Sequence, residues 1–124
     1  MNRTTFIELL EKRDFKTLKN TLEIMNAVDI ALLLSNLEDK ERAFAFRLIP
    51  KDKAADVFSN MSNPIQSYLV KIFTEKELRE LLDNLYMDDT VDLLEELPAN
   101  LVTRILHTVS SDKRDLINQL FEIP

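Results

Sequence analysis

Every twelfth residue from Leu33 onward is apolar: Leu33, Ala45, Val57, Leu69, Leu81, Leu93, Ile105 and Ile117. The next column, Leu34, Phe46, Phe58, Val70, Leu82, Leu94 and Leu106, is apolar until Asn118 breaks it. A third, Leu37, Ile49, Met61, Phe73, Leu85, Leu97, Val109 and Phe121, is apolar throughout. Within each unit these positions fall at i, i+1 and i+4, the core stripe of a short helix rather than the alternation of a strand.

A fourth column alternates. Ile30, Ala54, Leu78 and Val102 are apolar, whereas Arg42, Gln66, Thr90 and Arg114 between them are polar. The unit is therefore 24 residues long and holds two unlike helices. The first has the wider apolar stripe and is expected to be the more buried; the second is expected to start more exposed. Backward extension through Leu18, Leu22 and Met25 to Phe6, Leu9 and Leu10 carries the pattern over nearly the whole chain. The fold predicted is all-α, about ten short helices in 24-residue helix-pair repeats. Helices of about eight residues are unstable alone, because nucleation costs more than one or two turns return. Stability must then come from stacking neighbour on neighbour, as in a solenoid or superhelix.

The punctuation uses no glycine at all, where average usage of about 7% would give roughly nine residues. That excludes the phosphate-binding loop and the dinucleotide fingerprint, which need glycine for close backbone approach. Asn36, Asn60 and Asn84, 24 residues apart, are expected to end helices in the left-handed conformation that glycine usually supplies. Ser62, Asn63 and Pro64, Met87 and Asp88, and Ser110, Ser111 and Asp112 are N-terminal cap candidates, and Pro50 and Pro98 mark helix junctions.

With 16 basic and 22 acidic residues the net charge is −6, which opposes sequence-independent nucleic-acid binding. Residues 75–98 contain nine acids against only Lys76 and Arg79, so the whole excess of negative charge arises there. From Asp83 to Glu96 six acids occur without a base, and water, a cation or a basic partner must screen them. There is no cysteine, hence no disulfide or thiolate metal site. No apolar run approaches the ~20 residues of a membrane-spanning helix. Nothing supplies a nucleophile with its base, an oxyanion hole or a His-rich metal site, so the sequence speaks against an enzyme.

The stretch MDDTVDLLEELPANLVTRIL, Met87 to Leu106, and the stretch LIPKDKAADVFSNM, Leu48 to Met61, resemble the N-terminal cytosolic domain of the MgtE family of magnesium transporters. The resemblance implies a right-handed superhelix over residues 1–124, a single domain that precedes cystathionine-β-synthase-type (CBS) domains and a membrane channel in a homodimeric, full-length protein. On this expectation FEIP, Phe121 to Pro124, ends where the next domain would start, and the chain is a fragment of a transporter or a gene product that lacks the channel. The resemblance further implies a cytoplasmic regulatory domain that senses Mg2+, packing against the adjoining domains when the cation is plentiful. It assigns metal-facing roles to Asp56, Asp88 and Asp92, with Asp89 as the adjacent candidate. The magnesium site would be weak and completed by an adjoining domain.

From the residues themselves, Asp88 and Asp92 stand at i and i+4, on one face of a helix. Magnesium keeps several waters and needs only one or two carboxylates. A purely structural role is the competing explanation: Asp88 and Asp89 would cap the helix and complement its positive end. Asp56 and Glu80 share a column 24 apart, Glu95 and Glu96 are good helix formers, and His107 lies in a polar column and is expected at the surface. The alternative to a sensor is a helical-repeat scaffold that binds a basic partner through residues 75–98.

Overall fold

A computed structural model describes residues 1–121, the Phe121 side chain excepted. The described residues form ten α-helices and no strand: α1 (Arg3–Glu11), α2 (Phe15–Ile24), α3 (Ala27–Ser35), α4 (Asp39–Leu48), α5 (Lys51–Ser59), α6 (Asn63–Ile72), α7 (Glu75–Asn84), α8 (Met87–Glu96), α9 (Ala99–Thr108) and α10 (Ser111–Phe121). They group into two compact units, Met1–Ser62 with α1 to α5 and Asn63–Pro124 with α6 to α10. In the first, α2 packs on α4 and α3 on α5; in the second, α6 packs on α8 and α7 on α9. Helices one 24-residue period apart thus lie against each other inside each unit, as the alternating column requires.

The core follows the columns. All eight residues of the first column are buried, as are the seven of the third from Leu37 to Val109; the Phe121 side chain lies outside the described residues. Leu106 and Asn118, where the second column fails, are half-buried. Each fully buried leucine, isoleucine or phenylalanine contributes roughly 1.5–3 kcal/mol relative to exposure, which offsets the marginal stability of helices nine to eleven residues long.

The fourth column corrects the expectation of an exposed second helix. Arg42, Gln66 and Thr90 are buried and Arg114 is half-buried, whereas the apolar Ala54 and Val102 are only half-buried. The arginines turn inward because they terminate the preceding helix. Arg42 Nε donates to the Leu34 carbonyl at 2.9 Å and a terminal nitrogen donates to that of Leu37. At identical offsets, Arg114 Nε donates to Leu106 at 2.6 Å and its terminal nitrogen to Val109 at 3.4 Å. The last carbonyls of a helix lack intrahelical partners and carry its negative dipole end, so a buried guanidinium is satisfied there. Thr90, too short to reach across, bonds the Tyr86 carbonyl of its own helix at 3.1 Å.

The asparagines also end helices differently from expectation. Asn36 and Asn60 have φ of −91°, and Asn84 is the last residue of α7. Instead of a left-handed turn, each side-chain amide donates to the carbonyl four residues back: Asn36 to Leu32 at 3.1 Å, Asn60 to Asp56 and Asn84 to Glu80 at 2.8 Å. The side chain satisfies a terminal carbonyl directly, so no glycine is needed. Among the described residues the one with positive φ is Arg13, at 57°. It closes α1 in a Schellman turn, with Asp14 N–H bonded to Leu9 and Arg13 N–H to Leu10. Pro50 and Pro98 occupy the N-cap positions of α5 and α9, as placed by the sequence.

Candidate functional site

The acidic segment separates into three parts. Along α7, Glu77 is engaged in a capping box, its carboxylate accepting from Thr74 N–H at 3.0 Å while Thr74 Oγ1 accepts from Glu77 N–H at 3.1 Å. Glu80 is half-buried and engaged. Asp83 lies near Lys113, a residue 30 positions away that α10 delivers onto the end of α7. Lys113 Nζ donates to the carbonyls of Leu82 and, at 3.4 Å, Leu85. Burial pushes the Lys113 ammonium below the ordinary lysine value, and the charge of Asp83 partly offsets this.

The third part is α8, MDDTVDLLEE, which has five acids and no base. Leu93, Leu94 and Thr90 face inward, which turns Asp88, Asp92, Glu95 and Glu96 to solvent and leaves Asp89 half-buried. Among the described residues none of these five carboxylates has an ion-pair partner. The N-cap is Tyr86, which makes no side-chain cap bond, rather than Met87 or Asp88. Asp88 and Asp89 therefore complement the positive end of α8 from within its first turn but do not cap it.

The structure brings Asp88, Asp89 and Asp92 together on a single helix; Asp56, exposed on α5, belongs to the other unit, as Glu80 on α7 belongs to that of α8. No group of three or more His, Asp or Glu side chains with metal-binding geometry occurs among the described residues. The donor set still suits a hydrated magnesium ion, which takes one or two carboxylates and keeps its remaining ligands as water. His107 is exposed.

What the sequence reading missed is a set of basic side chains that hold helix ends over long separations. Lys53 of α5 donates to the α2 carbonyls of Leu22, Glu23 and Met25, and Lys113 reaches α7 with the same spacing. Arg104 of α9 donates to Val70 and Phe73 at the end of α6. The signal was present in the recurrence of a base 31 residues after a second-column hydrophobe, at Leu22 and Lys53 and at Leu82 and Lys113.

Residues 25–124 match the family described as the MgtE intracellular N domain. The chain belongs to that family. Among solved structures, the cytosolic domain of the Mg2+ channel MgtE in complex with ATP is 28% identical, with a TM-score of 0.81 over 94% of this chain and 48% of that one. The soluble part of a magnesium transporter is 18% identical, with a TM-score of 0.80 over 95% of this chain and 47% of that one. No curated protein sequence matches. This MgtE N domain thus spans about half the length of the solved chains it resembles. Its described residues contain no helix long and apolar enough to cross a membrane.

Proposed function

We propose that this MgtE N domain is the magnesium-sensing element of a transporter, with α8 as the cation-responsive surface and Asp88 and Asp92 as the principal ligands. The observation that carries the reading is the set of five α8 carboxylates without an ion-pair partner among the described residues. Asp88 and Asp92, exposed and one turn apart, would hold the ion together with its waters, and Asp89 would lie beside it. Bound magnesium supplies positive charge. The α8 carboxylates otherwise repel any acidic surface that approaches them. Once neutralised, they let α8 close against an adjoining CBS domain, and tighter cation binding in the closed state shifts the equilibrium toward it. Asp56 would contribute from α5 to a separate outer contact. The channel that follows, and assembly of the full-length protein as a homodimer, complete this proposal.

Titration of Mg2+ into the 15N-labelled chain tests it. The Asp88, Asp89 and Asp92 amides should shift at millimolar cation, and Asp88→Asn/Asp92→Asn should abolish the shift. Absence of a response both in the chain alone and in the full-length protein overturns the sensor reading.

One observation favours a second reading, a scaffold for a basic partner. The five α8 carboxylates lack an ion-pair partner among the described residues and suit a basic surface as well as a cation. A partner that supplies lysine or arginine there would bind without magnesium, and chelation would leave its affinity unchanged.

A further inference from the structure

The residue before each helix recurs every twelve positions, from Asn2 to Ser110, and forms a capping column. Asn2, Asp14, Asn26, Thr74 and Ser110 each accept from the N–H three residues on, at 2.8 to 3.3 Å, and Glu38 closes a capping box with Glu41. Pro50 and Pro98, which have no side-chain acceptor, stand at two more of these positions. Tyr86 is the only aromatic residue in the column. It makes no side-chain cap bond and is 72% exposed. Among the described residues its hydroxyl has no hydrogen-bond partner and its ring no aromatic neighbour. The other half of a capping box is in place, since Asp89 follows Tyr86 by three residues as Glu77 follows Thr74. A serine or threonine would serve the free chain better, because its oxygen would satisfy an N–H that Tyr86 leaves to solvent. A position that breaks a local rule with no gain inside the chain is where a contact outside it is expected.

We propose that Tyr86 anchors the α8 surface to an arginine of a partner protein, whose guanidinium stacks on the ring and pairs with Asp89. The charge around the ring selects a cation. Tyr86 directly precedes a helix with five acids and no base. An acidic surface or a nucleic acid is repelled there, and an apolar surface would bury carboxylates without a partner. A cation near a helix N-terminus meets a dipole charge of about +0.5, which Asp88 and Asp89 in the first turn outweigh. Arginine is favoured over lysine because its flat, weakly hydrated guanidinium stacks on a ring while its N–H fork meets a carboxylate. Tyrosine and arginine are also the side chains that most often dominate interface energetics. The contact presupposes that α8 is the surface that meets a partner, and it leaves Asp88 and Asp92 available to magnesium.

Tri-arginine and tri-lysine peptides, equal in charge, test the anchor by NMR titration of the labelled chain. Tri-arginine should shift the Tyr86 ring and the Asp89 amide, and bind about two- to fivefold more tightly than tri-lysine, the gain that stacking on an exposed ring supplies. Tyr86→Phe should keep this preference. Tyr86→Thr, which completes the capping box with Asp89, should erase the preference while raising Tm. Equal affinities for the two peptides in the wild type overturn the proposal, as does a preference that survives in Tyr86→Thr. So does a fall in Tm for Tyr86→Thr, because the ring would then serve the helix itself. Mg2+ added to the same samples separates this contact from the sensor: an Asp92 amide that ignores the cation while the arginine preference persists sinks the sensor and supports the anchor.

Discussion

Two residues that end helices show how differently the same task is done. Arg13 sits at positive φ, where a side chain crowds the following carbonyl, so Arg13→Gly is expected to stabilise the chain by about 0.5–1 kcal/mol in urea unfolding. Asn84→Gly should instead destabilise by about 1 kcal/mol, because it removes the bond to the Glu80 carbonyl from a helical position that needs no left-handed turn. Arg42, 7% exposed, satisfies the carbonyls of Leu34 and Leu37. Arg42→Met would strand both and cost about 2–4 kcal/mol, whereas Asp39→Ala, which removes an exposed ion-pair partner, should cost less than about 1 kcal/mol. At the N-terminus of α2, hydrogen bonds from the Thr17 hydroxyl and N–H hold the Asp14 carboxyl below its ordinary value, helped by Lys12 and Lys16. A depressed folded-state value means a contribution present above the ordinary aspartate range and lost as pH falls through the lower folded value. The stability gap between wild type and Asp14→Asn should therefore be constant near neutrality and close in acid.

At the scale of the element, α8 has acids at both ends, and the two ends oppose each other energetically. Asp88 and Asp89 lie at the positive end of the helix dipole, Glu95 and Glu96 at the negative end. Asp88→Asn/Asp89→Asn should lower thermal stability, and Glu95→Gln/Glu96→Gln raise it, each by about 0.3–1 kcal/mol at low ionic strength. Equal effects of the same sign would mean that overall repulsion, not the dipole, dominates this helix. Three other helices, α2, α6 and α7, are held at their ends by groups that composition hides: Lys53, Arg104 and Lys113 each donate to carbonyls 28 or more residues away in sequence. Each couples the formation of two helices, neither of which is long enough to stand alone.

Over the whole molecule the charge balance is negative and its excess is local. With a net of −6 and five α8 acids lacking ion-pair partners among the described residues, added salt should stabilise the chain. Raising NaCl from 10 mM to 200 mM is expected to lift Tm by roughly 2–6 °C, and a variant neutralised at Asp92, Glu95 and Glu96 should respond less. An identical salt response in that variant would locate the repulsion elsewhere.

The apolar columns alone determined that the chain is helical, that it holds about ten short helices and which apolar residues form the core stripe, because burial at i, i+1 and i+4 repeats with the helix period. They also determined the pairing of helices one repeat apart, and the run of acids in α8 was legible directly. Only the tertiary structure decided what the polar positions do. Arg42 and Arg114 read as surface residues, yet packing leaves carbonyls at each helix end that need a donor, and a long side chain from another helix is the one that reaches them. The same applies to the acids: Glu77 and Asp83 look identical to Asp88 and Asp92 in sequence, and folding brings a cap to one and a lysine near the other. Hydrophobic burial is additive along a sequence and can be read from it; the partner of a charge depends on distances that exist only once the chain has folded.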